Sequence, residues 1–318
     1  MIDIVACTDK TFVMPTGVMM YSVCVNNVES DVTFHIVTRC VSSKEKRKLT
    51  DTVSQFERKS ILFYDVDSLD LSHLPPILDS RITIATYFRL FLSVLLPQHL
   101  HKVLYLDGDI IVRQSLASLW ETNIENYAVA ATPCDNAHNE EYYNRLGYPK
   151  EKGYFNAGVM LVNLEYWRSH NILSAFYDFI NEQADRIKYA DQDILNYTFW
   201  NQKKDLPIKY NLQTGHLLPR PTTEDSGFKR ELRKAIDDCV ILHFTGTNPW
   251  YTTCQHPFRS TFFKYRSQTI WKNTPLIEKR PLRLRIKNSL KWCFRKLNLL
   301  PAPPLYGKDF IDGLTPID

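Results

Sequence analysis

Apolar and polar positions alternate along this chain in two kinds of segment. Short, nearly unbroken apolar runs recur at residues 2–6, 32–37, 60–64, 103–106, 129–131, 159–162 and 240–242. Runs of this length without a helical period, bounded by polar turns, fit strands buried on both faces of a sheet. Stretches of helical character lie between the first of them, at 19–28 and from Ser42 to about residue 56. The second opens with Ser42 and Glu45 three positions apart, the spacing of a capping box. Strand–helix alternation of this kind predicts βαβ units, a mainly parallel sheet and an α/β fold. Further helices are expected at 84–96, after the break at Pro75-Pro76, and at 194–200, where Asp191-Gln192-Asp193 read as acidic caps. Residues 133–152 are polar and aromatic and read as a long loop, a kind of segment that often carries function.

One strand end carries unusual chemistry. The run 103–106 stops at Asp107-Gly108-Asp109, and a second apolar run, 110–112, follows at once. In an extended backbone residues i and i+2 point the same way, so both carboxylates face one side. Ligands of open α/β sheets bind at the carboxyl ends of strands. Adjacent carboxylates repel and need a compensating charge, for which an oxygen-preferring divalent cation is a natural candidate. Gly108 leaves room for close approach. The plain alternative is a polar turn after a strand, where Asp and Gly are common. His243 ends the run 240–242 and precedes Gly246, a setting like that of Asp107, although a lone His there is more often structural. Arg89 stands among Phe88, Leu90 and Phe91, either snorkelling to the surface or buried against an acid or a phosphate. Asn156 precedes Ala157 and Gly158, small residues that permit close backbone approach. No G-x-G-x-x-G follows the first strand, which argues against the usual dinucleotide fingerprint.

Composition narrows the setting more than the chemistry. The 318 residues suffice for one large domain or two smaller ones, with a net charge of +4. Seven cysteines without a C-x-x-C pair argue against a disulfide framework and a zinc knuckle, and fit a reducing cytoplasm. The N-terminus lacks the basic and apolar regions of a signal peptide. The longest apolar stretch, 90–96, is too short to span a bilayer. Residues 279–300 contain no acidic side chain. Arg283, Lys287, Lys291 and Arg295 recur every four residues, and Leu282, Ile286, Leu290 and Phe294 form the adjacent stripe. That is the pattern of a basic amphipathic helix lying on an anionic membrane. The alternative packs its apolar stripe on the rest of the protein. No motif supports nucleic acid as a partner.

Five stretches together resemble the family 8 glycosyltransferases, most closely the bacterial lipopolysaccharide α-galactosyl- and α-glucosyltransferases. They are Thr-Tyr-Phe-Arg-Leu (86–90), Lys-Val-Leu-Tyr-Leu-Asp-Gly-Asp (102–109), Tyr-Phe-Asn-Ala-Gly-Val (154–159), Asp-Gln-Asp-Ile-Leu-Asn (191–196) and His-Phe-Thr-Gly (243–246). The resemblance spans residues 2 to about 258. It implies a GT-A fold, the Rossmann-like domain of nucleotide-diphospho-sugar transferases, over 1–258, with 259–318 as a C-terminal extension. It implies a UDP-sugar donor, UDP-galactose or UDP-glucose, and Mn2+, with Mg2+ less suited, held by Asp107, Asp109 and His243. It puts Ala6, Thr8 and Asp9 near the nucleoside, Gly108, Gly246 and Asn248 near the donor diphosphate and metal, and Arg89, Asn156 and Asp191 around the donor sugar. Gln192 falls near the anomeric carbon, and transfer retains the anomeric configuration.

The sequence departs from the family pattern at Thr8 and Phe12, where Asp and Tyr are usual, and at Asn248, where a lysine normally meets the diphosphate. The expected role is hexose transfer to a saccharide or lipid-linked acceptor in lipopolysaccharide or surface-glycan synthesis. The expected location is peripheral, on the inner face of the cytoplasmic membrane. A UDP-sugar binder without turnover is the alternative from another class. A haloacid-dehalogenase-type phosphatase is a further one, disfavoured because Ile110-Ile111 follow Asp109.

Overall fold

The computed structural model describes residues 1–69, 71–77, 82–137, 139–217, 226–246 and 248–278, together with residue 290. Ten strands are described: β1 (Ile2–Asp9), β2 (Val32–Arg39), β3 (Lys59–Asp65), β4 (Lys102–Leu106), β5 (Ile110–Val112), β6 (Val129–Pro133), β7 (Phe155–Asn163), β8 (Lys203–Asp205), β9 (Leu212–Gln213) and β10 (Ile241–His243). Each apolar run identified above falls in one of them. Seven form a sheet in the order β3-β2-β1-β4-β7-β6-β8, and β5-β10-β9 form a smaller one. Every pairing in the large sheet is parallel except the two made by β7, which runs opposite to its neighbours. The α/β expectation with a mainly parallel sheet therefore holds.

Period-two alternation divides the core. Val5, Cys7, Val103, Tyr105, Met160 and Val162 pack on one face of the sheet, and Ile4, Ala6, Leu104, Leu106, Val159 and Leu161 on the other. Both faces are buried, which is why these strands read as continuous apolar runs rather than as alternating ones. The chain winds outward from β1 through β2 to β3, then returns to place β4 on the other side of β1. The carboxyl ends of β1 and β4 therefore flank a topological switch point, where open α/β sheets leave a crevice.

Local structure differs from expectation in three places. The first helix, α1 (Val13–Asn26), begins well before residue 19, with Pro15 inside its first turn. Proline there removes only an amide that has no helical partner, so it does not delay the start. The segment expected as a helix over 84–96 is a 3-10 helix, Ile84–Phe91, followed by a single α-turn, Leu92–Leu95. Three residues per turn put Thr86 and Arg89 on one side, and both are used in the pocket described below. The expected loop at 133–152 contains the helix Glu140–Leu146, capped by the Asn139 side chain and closed by Gly147 at φ 79°. The capping box is present as expected on α2 (Ser43–Val53), with Ser42 and Glu45 bonded reciprocally.

The chain beyond residue 258 stays on the domain at first. The helix Arg259–Arg266 buries Phe262, and Trp271 packs on α1 at Gly17. The basic stretch 279–300 lies, apart from Leu290, outside the described residues. Among the described residues no helix is long and apolar enough to cross a membrane.

A Cβ at Gly17 would lie 2.1 Å from a Trp271 ring carbon. Gly17→Ala should lower stability in urea unfolding by about 1–3 kcal/mol, the range for overpacking. Adding Trp271→Ala should make the double variant less destabilised than the sum of the singles, because the clash is gone. An unchanged unfolding midpoint for Gly17→Ala would show that Trp271 does not sit on α1 in solution.

Candidate active site

Two strand ladders set the centre of the site. The β4–β7 pairing ends at Leu106 opposite Val159, and the Asp107 amide extends it by donating to the Gly158 carbonyl at 2.9 Å. The β5–β10 pairing places Ile110 opposite His243, and the Phe244 amide donates to the Asp109 carbonyl at 3.0 Å. Asp107 and Asp109 thus hang between two fixed ladders, with His243 delivered beside them.

Each carboxylate uses one oxygen for anchorage and turns the other inward. Asp107 Oδ1 accepts from Arg89 at 2.7 Å and from the Tyr105 hydroxyl at 2.9 Å. Its Oδ2 faces His243 Nε2 at 3.9 Å. Asp109 Oδ2 accepts from Asn248 Nδ2 at 3.0 Å, while Oδ1 lies 3.2 Å from the same Nε2. The three inward atoms lie within 4.8 Å of one another. Two carboxylate oxygens and one imidazole nitrogen, converging with open directions toward a pocket, are a donor set that fits a divalent cation. Burial pushes the His243 pKa down, but the Asp109 and Asp107 carboxylates outweigh it and hold the imidazole above its ordinary value.

Arg89 is buried between acids. Its guanidinium also pairs with Asp191 at 3.0 Å, donates to the Ala157 carbonyl at 2.6 Å, and lies over the Tyr105 ring at 4.3 Å. Thr86, one 3-10 turn earlier, donates to Asp191 Oδ1. Burial raises the Asp191 pKa to about 6 despite the pull of Arg89 and Thr86. Gln192 is held by both ends: Oε1 accepts from Asn156 Nδ2 and the Ala157 amide, each at 3.1 Å, and Nε2 donates to the Tyr154 hydroxyl. Asp193 accepts from the Lys188 and Tyr189 amides, so it ties down the turn that delivers Asp191 and Gln192.

Most of these groups, though not Tyr154 or Asp193, line one pocket of about 240 Å³. Of the sequence-identified residues, Asp107, Gly108, Asp109, Arg89, Asn156, Asp191, Gln192, His243, Gly246 and Asn248 are on its wall. Ala6, Thr8 and Asp9 are not. Ala6 and Thr8 are fully buried, and Asp9 accepts from the Thr11 amide and hydroxyl. Cys7 and Phe12, from the same segment, do line this pocket, and the nucleoside-side placement of Ala6, Thr8 and Asp9 belongs to the functional reading below. Sequence reasoning missed Tyr105, Thr86 and Asn211. Tyr105 was findable, being two residues before Asp107 on the same side of the strand. Asn211 follows a 3-10 turn and belongs to no motif.

The model of the family described as glycosyl transferase family 8 matches residues 3–254. The chain belongs to that family. It is 27% identical over 311 residues to lipopolysaccharide 1,2-glucosyltransferase of Escherichia coli, covering 96% of this chain and 86% of the relative. It is 28% identical to lipopolysaccharide 1,3-galactosyltransferase of Salmonella typhimurium, over 85% of this chain and 79% of that one. Among solved structures it is similar to the galactosyltransferase LgtC in complex with donor and acceptor sugar analogs. That likeness has a TM-score of 0.75 at 25% identity and covers 90% of this chain and all of that one. As a family 8 member with the same architecture, the chain has the GT-A fold, and the family supports glycosyl transfer as its activity class.

Gly158 gives the family 8 site its sharpest steric test. A Cβ there would lie 2.3 Å from the His243 ring and 2.6 Å from Asp107 Oδ2. If these residues share a divalent cation, Gly158→Ala should weaken its binding, read by titration calorimetry with Mn2+ as the probe, by at least roughly the 10–100-fold typical of disturbed metal surroundings. Its far-ultraviolet circular dichroism should stay native. Wild-type Mn2+ affinity in this variant would mean that His243 and Asp107 do not share the ion.

Proposed function

We propose that this protein transfers a hexose, galactose or glucose, from a UDP-sugar to a saccharide or lipid-linked acceptor in surface-glycan synthesis, with a divalent cation, Mn2+ before Mg2+, at Asp107, Asp109 and His243. One electrostatic observation carries the reading. The charged side chains on the pocket wall are three carboxylates, Asp107, Asp109 and Asp191, and one guanidinium, Arg89, with the titratable imidazole of His243 beside them. The carboxylates outnumber the cationic groups even when the imidazole carries its second proton. A pocket of that charge repels a diphosphate unless a divalent cation enters with it. Asn248, where a cation would otherwise meet the phosphates, supplies a neutral amide already given to Asp109. When bound, the cation neutralises the departing diphosphate.

The surrounding residues favour transfer on one face of the sugar. No carboxylate among the described wall residues is free to form a covalent intermediate: Asp191 is taken by Arg89 and Thr86, and Asp107 and Asp109 face the imidazole. Gln192, a poor nucleophile, is pinned by hydrogen bonds at both ends of its amide. The acceptor oxygen bonds to the anomeric carbon as the bond to UDP breaks, and the acceptor proton passes to a diphosphate oxygen. The product keeps the α-configuration of the donor. The family assignment sets aside the dehalogenase-type phosphatase. The neutral Asn248 favours one second reading, a binder without turnover.

The test is UDP release from UDP-galactose and UDP-glucose with Mn2+. Wild type should release UDP, and Asp107→Asn, Asp109→Asn and His243→Ala should each lose UDP binding with Mn2+ by at least roughly 10–100-fold. Gln192→Ala should slow turnover with UDP affinity nearly unchanged, the signature of a group acting mainly in the transition state. A β-linked product in the NMR spectrum would overturn retention. A melting temperature raised by UDP without any release or transfer would establish the binder.

For location, the sequence pattern of 279–300 supports an electrostatic hold on anionic lipid, about 1 kcal/mol for each cation near the surface. Co-sedimentation with liposomes should require anionic lipid, weaken with salt, and vanish on truncation after residue 278. Equal binding by the truncated protein would remove the membrane part of the reading.

A further inference from the structure

Gln192 reaches the pocket from a turn whose backbone is strained. Ala190 is buried and has φ 49°, a left-handed conformation that an alanine side chain disfavours. Such a residue persists only where its surroundings over-determine it. Here the surroundings centre on the carboxylate of Asp193. Its Oδ2 accepts from the Lys188 amide at 2.7 Å and from the Tyr189 amide at 2.6 Å, the two residues that lead into the turn. Its Oδ1 accepts from the Tyr154 hydroxyl at 2.9 Å, and the same hydroxyl accepts from Gln192 Nε2 at 3.3 Å. Asp193 thus fixes the backbone before Ala190 and, through Tyr154, the amide side chain after it.

Asp193 is fully buried, and a buried carboxylate keeps its place only with a counter-charge. Among the described groups that donate to it, only the Arg145 guanidinium is charged. Arg145 Nη1 meets Oδ2 at 2.8 Å and Nη2 meets Oδ1 at 3.0 Å, a paired contact that a lysine cannot reproduce. Nη1 also donates to the Arg186 carbonyl, and the guanidinium lies 5.4 Å from the centre of the Tyr189 ring. Arg145 belongs to the helix Glu140–Leu146, between β6 and β7. Tyr142, from the same helix, stacks on Tyr154 at 4.4 Å and meets Tyr189 edge-on at 5.3 Å. The helix is therefore clamped to the turn by charge and by rings.

We propose that Arg145 is a positioning residue for glycosyl transfer: by pairing with Asp193 it holds the left-handed turn at Ala190 and so sets Gln192 in the pocket wall. Without the guanidinium, Asp193 is left buried without its counter-charge, and the amides of Lys188 and Tyr189 lose a fixed acceptor. The part that Gln192 plays in turnover rests on the functional reading above, whereas the hold on the turn concerns the protein without substrate.

The experiment compares full-length wild type with Arg145→Met, in amide hydrogen exchange and in UDP release from UDP-galactose and UDP-glucose with Mn2+. Exchange at the Lys188 and Tyr189 amides should quicken by at least about tenfold, while the amides of the β4–β7 ladder stay within about twofold of wild type. UDP release should fall by about tenfold or more with UDP affinity nearly unchanged, the mark of an effect on the transition state rather than on binding. In a Gln192→Ala background the same substitution should cost less than about threefold, because the group it positions is already gone. A merely structural role would quicken exchange throughout the sheet or leave it unchanged at the turn, and its losses would multiply in the double variant; any of these results overturns the proposal. Should Arg145→Met fail to fold, Arg145→Lys decides the matter. It keeps the charge and gives up the paired contact, so exchange at the Lys188 and Tyr189 amides should still quicken, and wild-type exchange there overturns the proposal. If wild type releases no UDP from either donor while the exchange results hold, the functional reading and the transfer half fall, and the hold on the turn stands.

Discussion

Carboxylates at the end of β4 cannot relax away from one another, and much of the site answers to that constraint. Asp107 continues a ladder with β7, and the Asp109 carbonyl accepts from the residue after β10, so the backbone on both sides is fixed. Like charges held this way need compensation inside the protein. Arg89 supplies part of it at Asp107, but the same guanidinium is shared with Asp191. Removing one partner from a buried ion pair of this kind typically costs about 3–5 kcal/mol, because an uncompensated charge remains. The cluster therefore stands or falls together, and the pocket it lines keeps a negative surplus.

That surplus links the fold to the chemistry. A topological switch point creates a crevice between β1 and β4, and in a family 8 glycosyltransferase the ligand expected there is itself an anion. A negative crevice is suited to an anionic donor only with a cation between them, and the inward oxygens of Asp107 and Asp109 with the Nε2 of His243 form the place for one. Arg89 is held by two acids and a backbone carbonyl, which fixes its guanidinium in the wall. The amides of Asn156 and Gln192 complete the wall with neutral groups whose oxygens are fixed by backbone donors.

Much of this was legible in the sequence, and the remainder has identifiable causes. The apolar runs marked their strands because a sheet buried on both faces needs apolar side chains at every position. The Asp107 and Asp109 pair was legible from its place at the end of an apolar run, but Gly108 and Asp109 form a turn rather than extended strand, so the common direction of the two carboxylates is set by the ladders on either side. Arg89 left its two readings open on spacing alone, and the structure places it in the buried one. The 3-10 winding at Ile84–Phe91 was hidden, since its apolar content suits an α-helix equally well. The helix Glu140–Leu146 was hidden because its seven residues are held by local caps and not by a long periodic face.

The sequence by itself determined the α/β class, the strand ends that carry chemistry and the family, because burial patterns and motif order are written along the chain. Only the tertiary structure decided what those ends do to one another. His243 is 134 residues from Asp109 in the chain, and only the antiparallel pairing of β5 with β10 brings them within 3.2 Å. Asn211 belongs to no motif, and its contacts with Asn156 and His243, each at 2.9 Å, exist only in the folded chain. Cys7 and Phe12 line the pocket, and only the fold shows that the side chains of β1 and the turn after it reach the crevice from that edge. Local pattern specifies elements, whereas charge balance and pocket shape arise from groups distant in sequence that the packed fold brings together.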